Sequence, residues 1–195
     1  MNGAGRTDGL SRAQKVACWM AALAVMSLTA TDTEARPRRH GGYAPAYSAI
    51  VIDAKTGQTL HNESADSMRF PASITKVMTL YLLFEQIEAG RLSLQSPLSV
   101  SAEAARQPPS KVGVRPGSTI TVEEAIRALV TKSANDVAVV VAENIGDSEE
   151  RFAQLMTRRA RAIGMSRTTF RNASGLPDAG QMTTARDLAT LGRAI

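Results

Sequence analysis

The chain has 195 residues, yet it carries a single cysteine, Cys18, and only two histidines, His40 and His61. One thiol excludes an internal disulfide framework and a Cys-based zinc site. Cys18 also opens an apolar run, where a lipidation site would come after it, so it reads as hydrophobic filler. Neither histidine has a ligand cluster nearby in sequence. No metal, no cofactor and no Ser-His-Asp triad is therefore expected. Aromatic residues make up only 4% of the chain, too few for the stacking platforms that hold nucleic-acid bases. The formal charge of +5 is scattered rather than clustered, which favours solubility over docking on a polyanion. Nucleic acid is not an expected partner.

The N-terminus is patterned. Arg6, Arg12 and Lys15 precede an apolar stretch from Val16 to Met26, and small residues follow through Ala30 and Ala35. A basic flank, a short apolar run and small residues at a cleavage point describe a secretory signal peptide. The run falls short of the roughly 20 apolar residues that span a bilayer. Residues 1–35 are read as the signal, with cleavage after Ala30 or Ala35, and 36–46, rich in Arg, Gly and Pro, as a loose leader. Residues 47–195 are long enough for one domain. An exported location, the periplasm or cell envelope, follows.

Within that domain, Ser48–Asp53 and Gln58–Asn62 flank the turn Ala54–Gly57 and predict a hairpin. Ser73–Glu88 has apolar residues at a helical period and Gly90 to end it. Pro108-Pro109 and Pro116-Gly117 punctuate an irregular stretch. Thr121 with Glu124 forms a capping box for a helix to about Lys132. Apolar Asp136–Ile145, amphipathic Ser148–Ile163 and a last helix begun by Thr184 with Asp187 follow, with a short strand expected at Thr168–Arg171. Early strands and many later helices predict an α+β domain.

Two boxes carry chemistry. Ser73-Ile74-Thr75-Lys76 spaces a hydroxyl and an amine one helical turn apart, where side chains are neighbours. Serine needs an adjacent base, and burial can lower a lysine pKa enough to provide one. Alone, this spacing also arises by chance. Lys132-Ser133-Ala134-Asn135-Asp136 lies in a short break between helices. If that link is extended, Ser133 and Asn135 reach into one cleft, the hydroxyl to relay a proton and the amide to hold Lys76 and a substrate carbonyl. Helix capping is an equally ordinary use for Ser133 and Asp136.

Ser-x-x-Lys followed by Ser-x-Asn is the order seen in penicillin-binding proteins and class A β-lactamases. Flanking stretches resemble the D-alanyl-D-alanine carboxypeptidases: Ile52-Asp53-Ala54 with Thr56-Gly57, Pro71–Met78, Lys132–Ala138, Leu155-Met156 with Gly164-Met165, Thr169-Phe170, Gly175-Leu176-Pro177-Asp178 and Thr183–Leu188. The similarity runs from about Ala49 to Ile195. It implies a DD-peptidase/β-lactamase-like fold, an antiparallel sheet flanked by helices plus an all-helical subdomain. It implies Ser73 as nucleophile, Lys76 as its base, Ser133 as proton donor to the leaving amine and Asn135 as binder of Lys76 and substrate. The Ser73 N–H would be one oxyanion donor. The implied partners are peptidoglycan stem peptides ending in D-Ala-D-Ala and β-lactam antibiotics.

The third box of that family, Lys-Thr-Gly, occurs here only as Lys55-Thr56-Gly57. It precedes Ser73 and falls in the hairpin turn, where glycine serves turn geometry. The functional third box is expected beyond Ile195, so the fold is expected to be incomplete at its C-terminus, and any membrane association to depend on a later segment. The alternatives are a class A β-lactamase-like hydrolase and an inactive peptidoglycan-binding remnant. Against the lactamase stand Ala134 in the second box and the lack of a Glu-x-x-Leu-Asn stretch after Asn135.

Overall fold

Side-chain caps fix where the helices of this chain begin. In the computed structural model, which describes residues 46–195, Thr121 accepts from the Glu124 N–H while Glu124 reaches back to Thr121, opening the helix Val122–Lys132. Ser148 caps Glu149–Ala162, and Thr184 caps Ala185–Ala194. Each cap satisfies an N–H that the helix itself leaves orphaned. Ser101 does the same for a short helix, Ala102–Arg106, that the sequence pattern did not announce. The predicted signal, 1–35, and the 36–46 leader apart from Ala46 lie outside the described residues.

The elements are β1 (Ala49–Ile52), β2 (Thr59–Glu63), α1 (Thr75–Glu88), β3 (Pro97–Ser99), α2 (Ala102–Arg106), β4 (Thr119–Thr121), α3 (Val122–Lys132), α4 (Asn135–Gly146), α5 (Glu149–Ala162) and α6 (Ala185–Ala194). β1 and β2 pair antiparallel from Ala49↔Glu63 to Ile52↔Thr59, with an irregularity between Val51 and Ile52. β3 and β4 form a second, smaller antiparallel ladder. The strand expected at Thr168–Arg171 shrinks to one bridge, Thr169 with Met182. Asn172 and Gln181 supply side-chain bonds on the C-terminal side of that bridge, so the backbone there needs no longer ladder.

Helix α4 is the axis of the core. Its residues from Asn135 to Ala142 are all buried, which is how a helix that is apolar all round must sit. It touches α1, α2, α3, α5 and β3. Met78 and Leu83 of α1, Leu129 of α3, and Phe152 and Met156 of α5 pack in the same cluster. Full burial of side chains of this size is worth about 1.5–3 kcal/mol each. The N-terminal turns of α1 and α4 are thereby held side by side, and both chemical boxes lie there. Among the described residues no helix is long and apolar enough to cross a membrane.

Candidate active site

Ser73 does not sit in α1 itself. Ala72–Ile74 form a single 3-10 turn that runs directly into the helix, and Ser73 is exposed on it. Ala72 holds φ at 46°, a left-handed conformation that strains an L-residue by about 1–2 kcal/mol. Strain of this kind persists only where the surroundings enforce it.

Lys76, in the first turn of α1, is 3% exposed. Its Nζ donates to Asn135 Oδ1 at 2.8 Å and to the Ser174 carbonyl at 2.6 Å. Burial lowers its pKa to about 8, because a low-dielectric site disfavours the charged form. A neutral amine has two N–H groups and one lone pair. The two acceptors match the two N–H groups, and the lone pair is left over for a proton. No hydrogen bond joins Lys76 Nζ to Ser73 Oγ in this state. Bonds of that kind commonly tighten only when a substrate is bound.

The link carrying the second box is not extended. Ser133 is left-handed, with φ 54° and ψ 42°, and caps the C-terminus of α3 through its backbone N–H to Ala128. A left-handed residue is the usual way to close a helix, although glycine is the usual choice. The side-chain capping that is the ordinary alternative use of Ser133 and Asp136 is not seen. Ala134 is the N-cap of α4, with no side-chain bond, and the Ser133 hydroxyl makes none within the described residues. Asn135 is the first residue of α4 and is buried. Its Nδ2 donates to the Pro108 carbonyl at 3.0 Å and its N–H to Ser110 O at 2.7 Å. The amide orientation is thus fixed: Nδ2 faces the loop and Oδ1 faces Lys76.

Asp136 anchors that same loop. Fully buried, it accepts from Val112 N at 3.2 Å, Gly113 N at 2.8 Å and Val114 N at 3.2 Å. Ser110 Oγ donates to Lys132 O. The Pro-rich irregular stretch is therefore bound to both ends of the Ser133 link.

A third segment, Arg171–Gln181, completes the site. Thr79 Oγ1 donates to Ala173 O at 2.7 Å, beside the bond from Lys76 to Ser174. Asn172 Oδ1 accepts from Gly175 N at 2.7 Å, and buried Gln181 takes the N–H groups of Arg171 and Asn172. Glu149 Oε1 accepts from Ala173 N at 2.9 Å. Sequence reasoning singled out Gly175–Asp178 only by resemblance. The acceptor that matters is a main-chain carbonyl, which any residue supplies, so Ser174 leaves no mark in the sequence.

Lys55-Thr56-Gly57 lies in the β1–β2 turn, where the Thr56 N–H and hydroxyl both donate to Asp53. Arg193 in α6 bonds the Ala54 and Lys55 carbonyls. A cavity of about 670 Å³ between α1, α4 and α5 includes none of the four predicted site residues. One of about 220 Å³ adjoins the Ala72–Ile74 turn, at Ala72 and Gly175. Among the described residues no group of three or more His, Cys, Asp or Glu side chains converges as metal ligands would.

An exposed serine thus stands ahead of a buried, pKa-lowered lysine that is held by an asparagine, in the Ser-x-x-Lys order. The family model described as D-alanyl-D-alanine carboxypeptidase matches residues 33–195, and the chain belongs to that family. It is 34% identical over 148 residues to the D-alanyl-D-alanine carboxypeptidase DacF of Bacillus subtilis, covering 76% of this chain and 38% of the relative. The solved D-alanyl-D-alanine carboxypeptidase DacD of Francisella tularensis superposes with a TM-score of 0.75 at 38% identity, over 76% of this chain and 36% of that one. Penicillin-Binding Protein D2 of Listeria monocytogenes, solved in an ampicillin-bound form, gives 0.62 at 31% identity over 77% and 61%. The chain spans about two fifths of the length of the curated relatives it matches.

Proposed function

We propose that this chain carries the nucleophile half of a D-Ala-D-Ala carboxypeptidase site. Ser73 Oγ attacks the carbonyl carbon of the penultimate D-alanine in a peptidoglycan stem peptide. Lys76, neutral at the moment of attack, takes the hydroxyl proton, and the Ser73 N–H donates to the oxyanion. The C–N bond then breaks, and the departing D-alanine amine receives a proton by way of the Ser133 hydroxyl. Water hydrolyses the acyl ester and returns the hydroxyl to Ser73. Asn135 keeps the Lys76 lone pair aimed and binds the substrate backbone. A β-lactam acylates the same oxygen. The workplace of such an enzyme is the periplasm or cell envelope.

One observation carries this reading: the buried Lys76 amine is bracketed by Asn135 Oδ1 and Ser174 O, with a pKa of about 8. A general base is most effective when its pKa lies near the working pH. Labelling with a fluorescent penicillin followed by denaturing gel analysis tests it. The expected result is one covalent band, absent in Ser73→Ala. An unlabelled wild-type chain, or a band that survives in Ser73→Ala, overturns the reading.

A further inference from the structure

We infer that Gly175 is a positioning residue for the nucleophile. Its bare Cα lets the Ser174–Gly175 backbone lie against the Ala72–Ser73 peptide, and this contact sets the Ser73 N–H and the Lys76 amine in register. The inference rests on the acyl-transfer reading and adds a determinant to it.

The two segments are far apart in sequence but touch at this glycine. A Cβ built on Gly175 would interpenetrate the Ala72 carbonyl oxygen and would lie 3.0 Å from the Ser73 nitrogen. Real Cβ atoms do not approach backbone so closely, so a side chain here forces one segment to retreat. Neither can do so without consequence. If the turn moves, the proposed oxyanion donor at Ser73 moves with it. If the loop moves, Ser174 O leaves Lys76 Nζ and Ala173 O leaves Thr79. The loop is also held from behind, because Gly175 N–H donates to Asn172 Oδ1. Ala72, whose φ of 46° is strained, is the residue whose carbonyl lies against Gly175.

Backbone conformation and close approach can be separated. Gly175 has φ +87°, and Gly164 has φ +96°, so alanine is strained at either position. A Cβ on Gly164, however, would meet only Thr190 Cγ2, at 4.0 Å. Gly164→Ala therefore reports backbone strain alone.

The test compares Gly175→Ala with Gly164→Ala in the whole chain, reading three quantities: melting temperature, the penicillin acylation rate resolved into non-covalent affinity and covalent step, and the Ser73 amide resonance. Both variants are expected to melt lower than wild type. Only Gly175→Ala is expected to slow the covalent step, by about 100-fold, the loss typical of a displaced oxyanion donor, with affinity little changed and the Ser73 amide shifted. A Gly175→Ala chain that acylates as fast as Gly164→Ala, with the Ser73 amide unmoved, overturns the inference. If Gly175→Ala does not fold, Thr79→Val, which frees the Ala173 carbonyl in nearly the same volume, takes its place: a shifted Ser73 amide supports the inference and an unshifted one overturns it. A wild-type chain that never acylates sinks the acyl-transfer reading, and the amide comparison still decides the role of Gly175.

Discussion

Lys76 Nζ and Asn135 Oδ1 lie 2.8 Å apart although 59 residues separate them in sequence. This bond joins the two boxes that were recognisable separately. It exists because α1 and α4 pack against each other and because Asn135 spends its other amide group on Pro108. Replacing Asn135 by Asp puts a carboxylate beside the amine. An adjacent negative charge favours the ammonium form, so the Lys76 pKa rises and the base is blocked near neutrality. Asn135→Asp should acylate slowly at pH 7 and recover as pH increases. Asn135→Ala should instead be destabilised by about 1–3 kcal/mol, the usual consequence of leaving buried polar groups unpaired. Acylation profiles against pH and urea melts of the two variants check both outcomes.

The Lys76 pKa of about 8 has a kinetic and a thermodynamic consequence with defined signs. Below that value the neutral fraction of the amine grows tenfold per pH unit. Acylation should climb accordingly and level off above pH 8. For stability, the folded-state pKa lies below the unfolded value of 10.5. Below pH 8 both states are protonated and the burial penalty is felt in full. Between pH 8 and 10.5 the unfolded chain holds more protons, so the Lys76 contribution to stability rises with pH, by about 3 kcal/mol across the window. Lys76→Met lacks this rise. The stability difference between wild type and Lys76→Met, followed from pH 7 to pH 10.5, should therefore shift in favour of wild type.

Capped helices were legible in the sequence because Thr121, Ser148 and Thr184 announce themselves by side chain. The order of the two boxes was legible for the same reason. What was not legible depends on main-chain atoms. Ser174 acts through its carbonyl, and the β3–β4 ladder involves only three residues on each side, too few to stand out as alternation, with a proline at Pro97. An extended link at Ser133 would have let Ser133 and Asn135 reach into one cleft. The link is instead a left-handed C-cap, the shortest way to turn from α3 into α4. Asp136, for which capping was one ordinary use, is an acceptor for a loop more than twenty residues earlier.

That loop gives a third prediction. Three N–H groups of that loop converge on Asp136, and bonds to a charged acceptor are among the stronger ones, about 1.5–3 kcal/mol each. Asp136→Ala should lower stability by several kcal/mol, whereas Asp136→Asn, which keeps an acceptor oxygen, should lose less. In both variants the stretch from Pro108 to Arg115 should open before the rest of the domain. Limited trypsin digestion reads this directly, since Lys111 lies within the released segment. Cleavage after Lys111 should appear in Asp136→Ala under conditions where wild type stays intact.

Glu149 holds the Ala173 N–H at 2.9 Å and so braces the segment that supplies the Lys76 acceptor. Its position is electrostatically mixed. It occupies the first turn of α5, where the helix dipole favours negative charge. Burial nevertheless raises its pKa, and Glu143 and Glu103 nearby add to that, while the bond from Ala173 pulls the other way. A carboxyl whose folded pKa is raised contributes stability below its unfolded value of 4.5, and that contribution is lost as pH rises through the folded pKa. At pH 7 the charged form is therefore a liability that the Ala173 bond only partly offsets. Glu149→Gln retains an oxygen for Ala173 and removes the charge. It should melt higher than wild type at pH 7, and the two should converge near pH 4, where wild-type Glu149 is protonated. A Glu149→Gln chain that melts lower than wild type at pH 7 would show that the charge at the head of α5 matters more than its burial.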